Sequence, residues 1–390
     1  MSRARSGTRT RTPRRTGAFE APASAYSAIR AAPASYKRPV VTTFTLYQAT
    51  LELSMAVVAA DRAHQLRPSL FLRASDEGLE GWSEVPAAVD PGVDPTADEL
   101  VEAIARLLDG GPAQGTAARI ARGLLDAALL DLGLRYEHQS LSAALGVTAS
   151  DVGFAGVVGI QEPGLARDRA QQLVALGASR LRVKVSPDAG FSALSSVLDA
   201  VDVPVVADAN GSFQPTEHQR GIEELCSLPL AWLEQPFAPD RLEDTALLAR
   251  STTVQIGLDE SATSLSAIQE AGRLGAAHVI CVKPMRFGIH GALEARREAG
   301  RLGMRSYVGG YFEAGLGRAV LAALAALDTD LDGDVAAPCT YLVADPCALA
   351  GPIAGRQPLH VTPGCGPVPD TAGMVVRLER VASEQPGRRS

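Results

Sequence analysis

The chain has 390 residues, 46% of them hydrophobic and 21% charged, which is too long for one ordinary core and too apolar for a disordered or collagen-like protein. No uninterrupted apolar run reaches the length of a membrane span. The net charge of -7 is unevenly divided: residues 1–40 hold eight Arg, one Lys and a single acid, leaving -15 on residues 41–390.

Taken in chain order, residues 1–40 read as a disordered Arg-rich tail with no apolar block that could serve as a secretion signal. We assign the tail no function and expect neither a nucleic-acid nor a membrane partner. From Thr43 to Leu53, Ser69 to Ala74 and Leu79 to Glu84 the pattern alternates like strands, and Ala97–Leu108 and Ala117–Leu132 have helical periodicity. Residues 41–150 therefore form a separate α+β lobe.

A strand–helix cycle starts after Asp151. Strands are expected at Phe154–Ile160, Leu181–Val185, Val203–Ala207, Ala231–Leu233, Val254–Leu258, His278–Val282 and Arg305–Val308. Helices are expected between them at Leu165–Leu176, Phe191–Leu198, Thr216–Cys226, Leu242–Arg250, Leu265–Leu274 and Ala292–Leu302, and after them at Leu316–Leu327. Such alternation implies parallel strands with right-handed crossovers over residues 151–345. Residues 346–390, rich in Pro and Gly up to Pro369 and strand-like at Met374–Leu378, lack that period and are expected to return to the first lobe.

Only three of the 37 basic residues are lysine, and Lys184 and Lys283 are the two in the folded body. A position that needs only positive charge can take Arg; one that needs an amine able to lose its proton cannot. Lys184, Asp208, Glu234, Asp259 and Lys283 follow one another at 24, 26, 25 and 24 residues, each at the C-terminal end of an expected strand. Continuing the step marks Gly159 before them, and Gly309 and Asp334 after them. Eight strand ends with chemistry on one rim describe a (β/α) barrel.

Three carboxylates on neighbouring strands, with no histidine beside them, suit a hard divalent cation, Mg²⁺ before Zn²⁺. Without a cation they would repel one another. The lysines flank this set, so a metal-held carboxylate substrate would lie between two amines. One lysine can then take the α-proton and the other return it. Arg182, two residues before Lys184 on the same strand face, adds a fixed positive charge that favours the neutral amine. The five cysteines form no C-x-x-C pair, which argues against a disulfide framework and for a reducing, cytoplasmic setting.

The runs Arg182-Val-Lys184, Asp208-Ala-Asn210, Glu234-Gln-Pro236, Asp259-Glu-Ser261, Val282-Lys283-Pro284 and Gly309 to Ala319 together resemble the enolase superfamily in its muconate lactonizing enzyme subgroup. With Gly81-Trp-Ser-Glu84 the resemblance spans residues 44–345 and is nearest to the o-succinylbenzoate synthase and N-acylamino acid racemase branch. It implies an α+β capping domain on a modified (β/α) TIM-type barrel, Mg²⁺ (or Mn²⁺ in its place) on Asp208, Glu234 and Asp259, and acid/base lysines at Lys184 and Lys283. It also implies a small-molecule carboxylate substrate, a metal-stabilised enolate, and association into homo-oligomers. Asn210 and Glu260 would stand near the metal, and Gly309, Gly310 and Glu313 would shape the seventh-strand side of the pocket. The family's usual Lys-x-Lys is Arg182-x-Lys184 here. The cap loop expected over Ser54–Arg67 has no Phe, Trp or Tyr, and Asp330-Leu-Asp-Gly-Asp334 partly matches the aspartates of dipeptide epimerases. Dipeptide epimerase, muconate-type cycloisomerase and a catalytically lapsed scaffold stand as the alternative readings.

Overall fold

The computed structural model describes residues 43–59, 62–76, 78–88, 93–327 and 331–381. The Arg-rich tail and Asp330 lie outside the described residues.

The N-terminal lobe opens with an antiparallel meander, β1 (Thr43–Ala59), β2 (Arg62–Asp76) and β3 (Leu79–Pro86), followed by helices α1 (Ala97–Leu108) and α2 (Gly115–Tyr136). The stretch expected as a loop over Ser54–Arg67 is a continuation of the β1–β2 hairpin: Val57 pairs with His64 and Ala59 with Arg62, after an irregularity that follows Glu52. The alternation of apolar and polar residues is weak there, so period 2 does not announce the strand. Leu70, Phe71 and Leu72 are all fully buried, which requires both faces of the sheet to be covered. Leu70 and Leu72 pack with Leu46, Ile104 and Leu124 under the lobe's own helices. Phe71 packs with Tyr47, Trp82, Leu316 and Tyr341 against the second domain. Helix α1 begins with a reciprocal cap in which Glu99 N–H donates to Thr96 Oγ1 and Thr96 N–H to Glu99 Oε2.

A short helix, α3 (Leu141–Ala144), and a two-residue strand, β4 (Asp151–Val152), lead into the second domain. Its sheet has seven parallel strands in sequence order: β5 (Ala155–Val158), β6 (Arg180–Lys184), β7 (Val205–Asp208), β8 (Trp232–Glu234), β9 (Ile256–Leu258), β10 (Val279–Val282) and β11 (Arg305–Val308). Between them run α4 (Pro163–Ala175), α5 (Ser192–Leu198), α6 (Gln219–Ser227), α7 (Leu242–Ser251), α8 (Leu265–Leu274) and α9 (Pro284–Arg301), with α10 (Gly315–Ala325) after the last strand.

The eighth strand position is filled by a non-strand segment. Ala155 N–H donates to Gly333 O at 2.8 Å and Asp334 N–H to Val308 O at 2.9 Å, so residues 333–334 join the first and last strands with one hydrogen bond on each side. Helix α9 starts eight residues before the expected Ala292. It is interrupted at Gly288, whose φ of 70° is open to glycine and which lies against Gly123 of α2. Beyond the barrel, β12 (Gln357–Pro358) pairs with β4, and β13 (Val375–Val381) lies antiparallel on β1, giving the cap sheet order β13-β1-β2-β3. No helix among the described residues is long and apolar enough to cross a membrane.

Candidate active site

Parallel register sets the rim. Lys184 is paired with Asp208, and Asp208 with Glu234, across β6, β7 and β8. Asp259 and Lys283 stand one residue beyond β9 and β10, which brings all five to the C-terminal end of the sheet. The three carboxylates are fully buried and the lysines nearly so. Lys184 Nζ lies 2.7 Å from Asp208 Oδ2, and Lys283 Nζ 2.7 Å from Asp259 Oδ2. The Lys283 ammonium also sits 3.6 Å from the centre of the Tyr311 ring, a cation–π contact that limits where it can swing.

Beneath the rim, two residues earlier on each strand, lies a second layer: Arg182, Val206, Trp232, Cys281 and Tyr307. Trp232 Nε1 and Tyr307 Oη donate to Glu234 Oε2 at 2.9 and 2.7 Å, holding one oxygen and leaving the other. Arg182 does more than stand beside Lys184. Its guanidinium is 2.6 Å from Asp208 Oδ2, 3.1 Å from Glu234 Oε1, 3.3 Å from Asp259 Oδ2 and 2.6 Å from Asp334 Oδ2.

These charges act on the carboxyls. Burial by itself raises Asp208, but Arg182 and Lys184 beside it outweigh that and hold it below the usual carboxylate range. Glu234 moves the other way, lifted by burial against the opposing charge of Arg182.

The remaining expected residues divide. Asn210 donates from Nδ2 to Glu260 Oε1 at 2.8 Å and from its backbone to Asp208 Oδ1 at 3.0 Å, so these two brace the β7 and β9 rim. Gly309 approaches so closely that a Cβ there would fall 2.2 Å from Cys281 Sγ and 3.2 Å from Lys283 Cγ. Gly310 is also crowded, though less so, by Glu313, Leu321 and Arg318 at 2.8 to 2.9 Å. Glu313 is turned to Arg318, at 3.1 Å, and to the Tyr311 N–H, at 2.8 Å.

Gln235, Arg286 and Asp94 join the expected residues around the rim. Gln235, with a positive φ of 40°, accepts the Asp259 and Ser261 N–H groups on Oε1 at 3.0 and 3.1 Å and so fixes the turn that carries Asp259. Arg286 is paired with Asp94 of the cap at 3.0 Å and donates to the Asp259 carbonyl at 3.1 Å. Asp334 holds Arg182. The period-2 step back from the rim would have found Trp232 and Tyr307, and the strand-end spacing marks Asp334 without its partner, whereas no local pattern announces Asp94.

A divalent cation is tested by the oxygens. Among the described residues no three such side chains are drawn together tightly enough to grip an ion as they stand, and the Arg182 guanidinium contacts all three carboxylates. Their chemistry still fits: Glu234 Oε1 and Asp259 Oδ1 are buried and accept no hydrogen bond, and an all-oxygen set suits a hard cation.

Comparison with known proteins gives the family. Residues 165–381 match the family described as enolase C-terminal domain-like. An N-succinylamino acid racemase of Amycolatopsis sp is 30% identical over 339 residues, covering 78% of this chain and 89% of that protein. An o-succinylbenzoate synthase of Bacillus subtilis is 27% identical over 319 residues, 76% and 85% of the two chains. Among solved structures, an enolase superfamily member from Listeria innocua superposes with a TM-score of 0.76 at 22% identity, covering 87% of this chain and 98% of that one. A dipeptide epimerase of Enterococcus faecalis, complexed with Mg and L-Leu-L-Tyr, does so at 0.71 and 22%, covering 84% and 99%. This chain belongs to the enolase superfamily, with a capping domain on a modified (β/α) barrel, and it is an isomerase or lyase of that superfamily.

Proposed function

We propose that this enzyme removes the α-proton of a carboxylate substrate to give an enolate, in the manner of an o-succinylbenzoate synthase or an N-acyl- or N-succinylamino acid racemase. One observation carries the reading: two buried lysines each stand 2.7 Å from a different member of the carboxylate set, Lys184 at Asp208 and Lys283 at Asp259, with Glu234 on the strand between them. Asp208, Glu234 and Asp259 would hold Mg²⁺, with Mn²⁺ as a substitute; when bound, the cation supplies positive charge that makes the substrate's α-proton more acidic.

Lys184 takes the α-proton on one face of the substrate. Lys283 returns a proton on the other face in racemisation, or stands as the compensating charge while water leaves in the synthase reaction. Arg182 stays protonated throughout and cannot exchange a proton in the place of either lysine. Asn210, Glu260 and Gln235 keep the rim turns in position.

A cavity of about 60 Å³ opens beside Lys184 and is lined by Arg169, Arg182, Arg318 and Tyr341 among others. Its walls suit a second anionic group on the substrate, such as a succinyl carboxylate. They suit the ammonium of a dipeptide less well, because Asp334, the carboxylate in that lining, is already paired with Arg182. All five cysteines are unpaired, and we place the enzyme in the cytoplasm.

The experiment is proton NMR in D₂O with Mg²⁺ over N-succinyl and N-acetyl amino acids, L-Ala dipeptides and the o-succinylbenzoate precursor. Exchange at an α-carbon that EDTA abolishes supports the reading. Silence across the panel with metal bound favours the lapsed scaffold.

A further inference from the structure

A guanidinium and a divalent cation bring the same sign of charge to the same few ångströms, and they repel strongly in a buried site. Arg182 touches all three carboxylates of the cluster, at 2.6, 3.1 and 3.3 Å. An ammonium at this position would present one compact charge, whereas the planar fork spreads its charge over several donors and reaches further. The arginine therefore needs a destination outside the cluster if a cation is to enter.

The structure provides one. Asp334 meets the remaining edge of the fork, with Oδ2 at 2.6 Å from Arg182 Nη1. The carboxylate is 5% exposed and lies on the segment that closes the barrel, held by its own N–H on Val308 O and by Arg318 on its carbonyl. Its other oxygen accepts no hydrogen bond, with Arg180 at 3.8 Å. Among the described residues it is the one carboxylate in contact with Arg182 that is not in the cluster. The guanidinium shares the cluster with the lysines: Asp208 is also paired with Lys184 and Asp259 with Lys283, so the three buried cations together offset the three buried acids.

We propose that Asp334 is a positioning residue for metal binding: by holding Nη1 it draws the charge of Arg182 away from Asp208, Glu234 and Asp259 and so lets a divalent cation compete for them. This rests on the metal reading given above. Asp334 is not one of the three proposed ligands, and on this reading its effect on metal binding passes through Arg182. Removing the arginine's excess reach should therefore remove the need for the aspartate.

The test is titration with Mn²⁺, followed by electron paramagnetic resonance of the free ion, on wild type, Asp334→Asn, Arg182→Lys and the double variant, with folding checked by circular dichroism. Wild type should bind one ion per chain. Asp334→Asn should weaken that binding by about tenfold or more, as loss of an outer partner does at metal sites. Arg182→Lys should bind at least as tightly as wild type, and adding Asp334→Asn to it should change affinity by less than about threefold, the mark of coupled residues.

An unchanged affinity in Asp334→Asn overturns the proposal, as does an equal loss in both backgrounds, which would make Asp334 merely structural. If Asp334→Asn does not fold, Arg182→Lys alone decides, and a loss beyond about tenfold overturns it. Asp208→Asn separates the two readings. Wild-type binding that this variant leaves intact, or no binding at all, overturns the metal site itself and this inference with it. Binding that Asp208→Asn abolishes while Asp334→Asn leaves it intact overturns only the role of Asp334.

Discussion

Glu84 of the cap accepts the backbone N–H of Gly317, in the first turn of barrel helix α10, at 2.8 Å, and takes the Ala314 N–H at 2.7 Å on its other oxygen. One carboxyl thereby ties the two domains together. Burial pushes it up to about 8 from an ordinary 4.5, against the two donated bonds, with Glu313 and Asp345 adding to the rise. A carboxyl raised by folding binds its proton more tightly in the native state. Its contribution is therefore full below about pH 4.5 and is lost as pH rises through about 8. Chemical denaturation across that window should show wild type losing stability with rising pH and Glu84→Gln following a flatter curve. Parallel curves would show that Glu84 does not titrate there.

The lysines make the sharpest catalytic prediction. Lys184→Arg keeps the charge 2.7 Å from Asp208 but cannot give up a proton, and Lys283→Ala removes the opposite amine. Either change should lower turnover by at least about 10²- to 10⁴-fold, read as loss of α-proton exchange by NMR. Wild-type rates in both variants would sink the assignment of roles.

Metal removal offers a reversible test. Exchange should vanish on adding EDTA and return with Mg²⁺ or Mn²⁺, while the far-ultraviolet circular dichroism stays constant, because Arg182, Lys184 and Lys283 together offset the charge of the three carboxylates. Activity that persists in EDTA would exclude a metal-dependent reaction.

Arg169 tests the substrate class. It lies half-buried on α4, lines the cavity beside Lys184 and donates to the Thr340 carbonyl at 3.1 Å. Burial lowers its pKa, and no carboxylate opposes that shift. Arg169→Ala should raise KM for N-succinyl amino acids by roughly tenfold, the worth of a charge-assisted hydrogen bond, while leaving N-acetyl substrates nearly unchanged. Equal effects on both would remove Arg169 from recognition.

Gly309 tests the fit around Lys283. An added Cβ would meet Cys281 Sγ at 2.2 Å and the Lys283 side chain at 3.2 Å, so Gly309→Ala must displace the lysine or the strand beneath it. Turnover should fall with KM little altered. Gly309→Ala combined with Cys281→Ala, which clears the worst contact, should recover part of it.

The barrel was readable because its signals are local and repeated. Each strand is a short apolar run ending in a chemically distinct residue, and parallel register places those ends together without any further information. Lys184 and Lys283 stood out because arginine had replaced lysine almost everywhere else. Periodicity alone starts α9 at Ala292 rather than Pro284, because its first turn precedes Gly288, where the backbone leaves helical geometry. The Ser54–Arg67 hairpin was not legible because its sequence lacks a sustained period-2 alternation.

The linear order of residues thus determined the succession of strands and helices and the five rim residues, since period and spacing are properties of the chain itself. Tertiary structure alone decided what those residues touch. Asp94 reaches Arg286 across 192 positions, and Asp334 reaches Arg182 across 152. Closing the barrel and seating the cap bring these pairs together in a buried site where an unpartnered charge is too costly to leave. No spacing along the chain encodes such contacts.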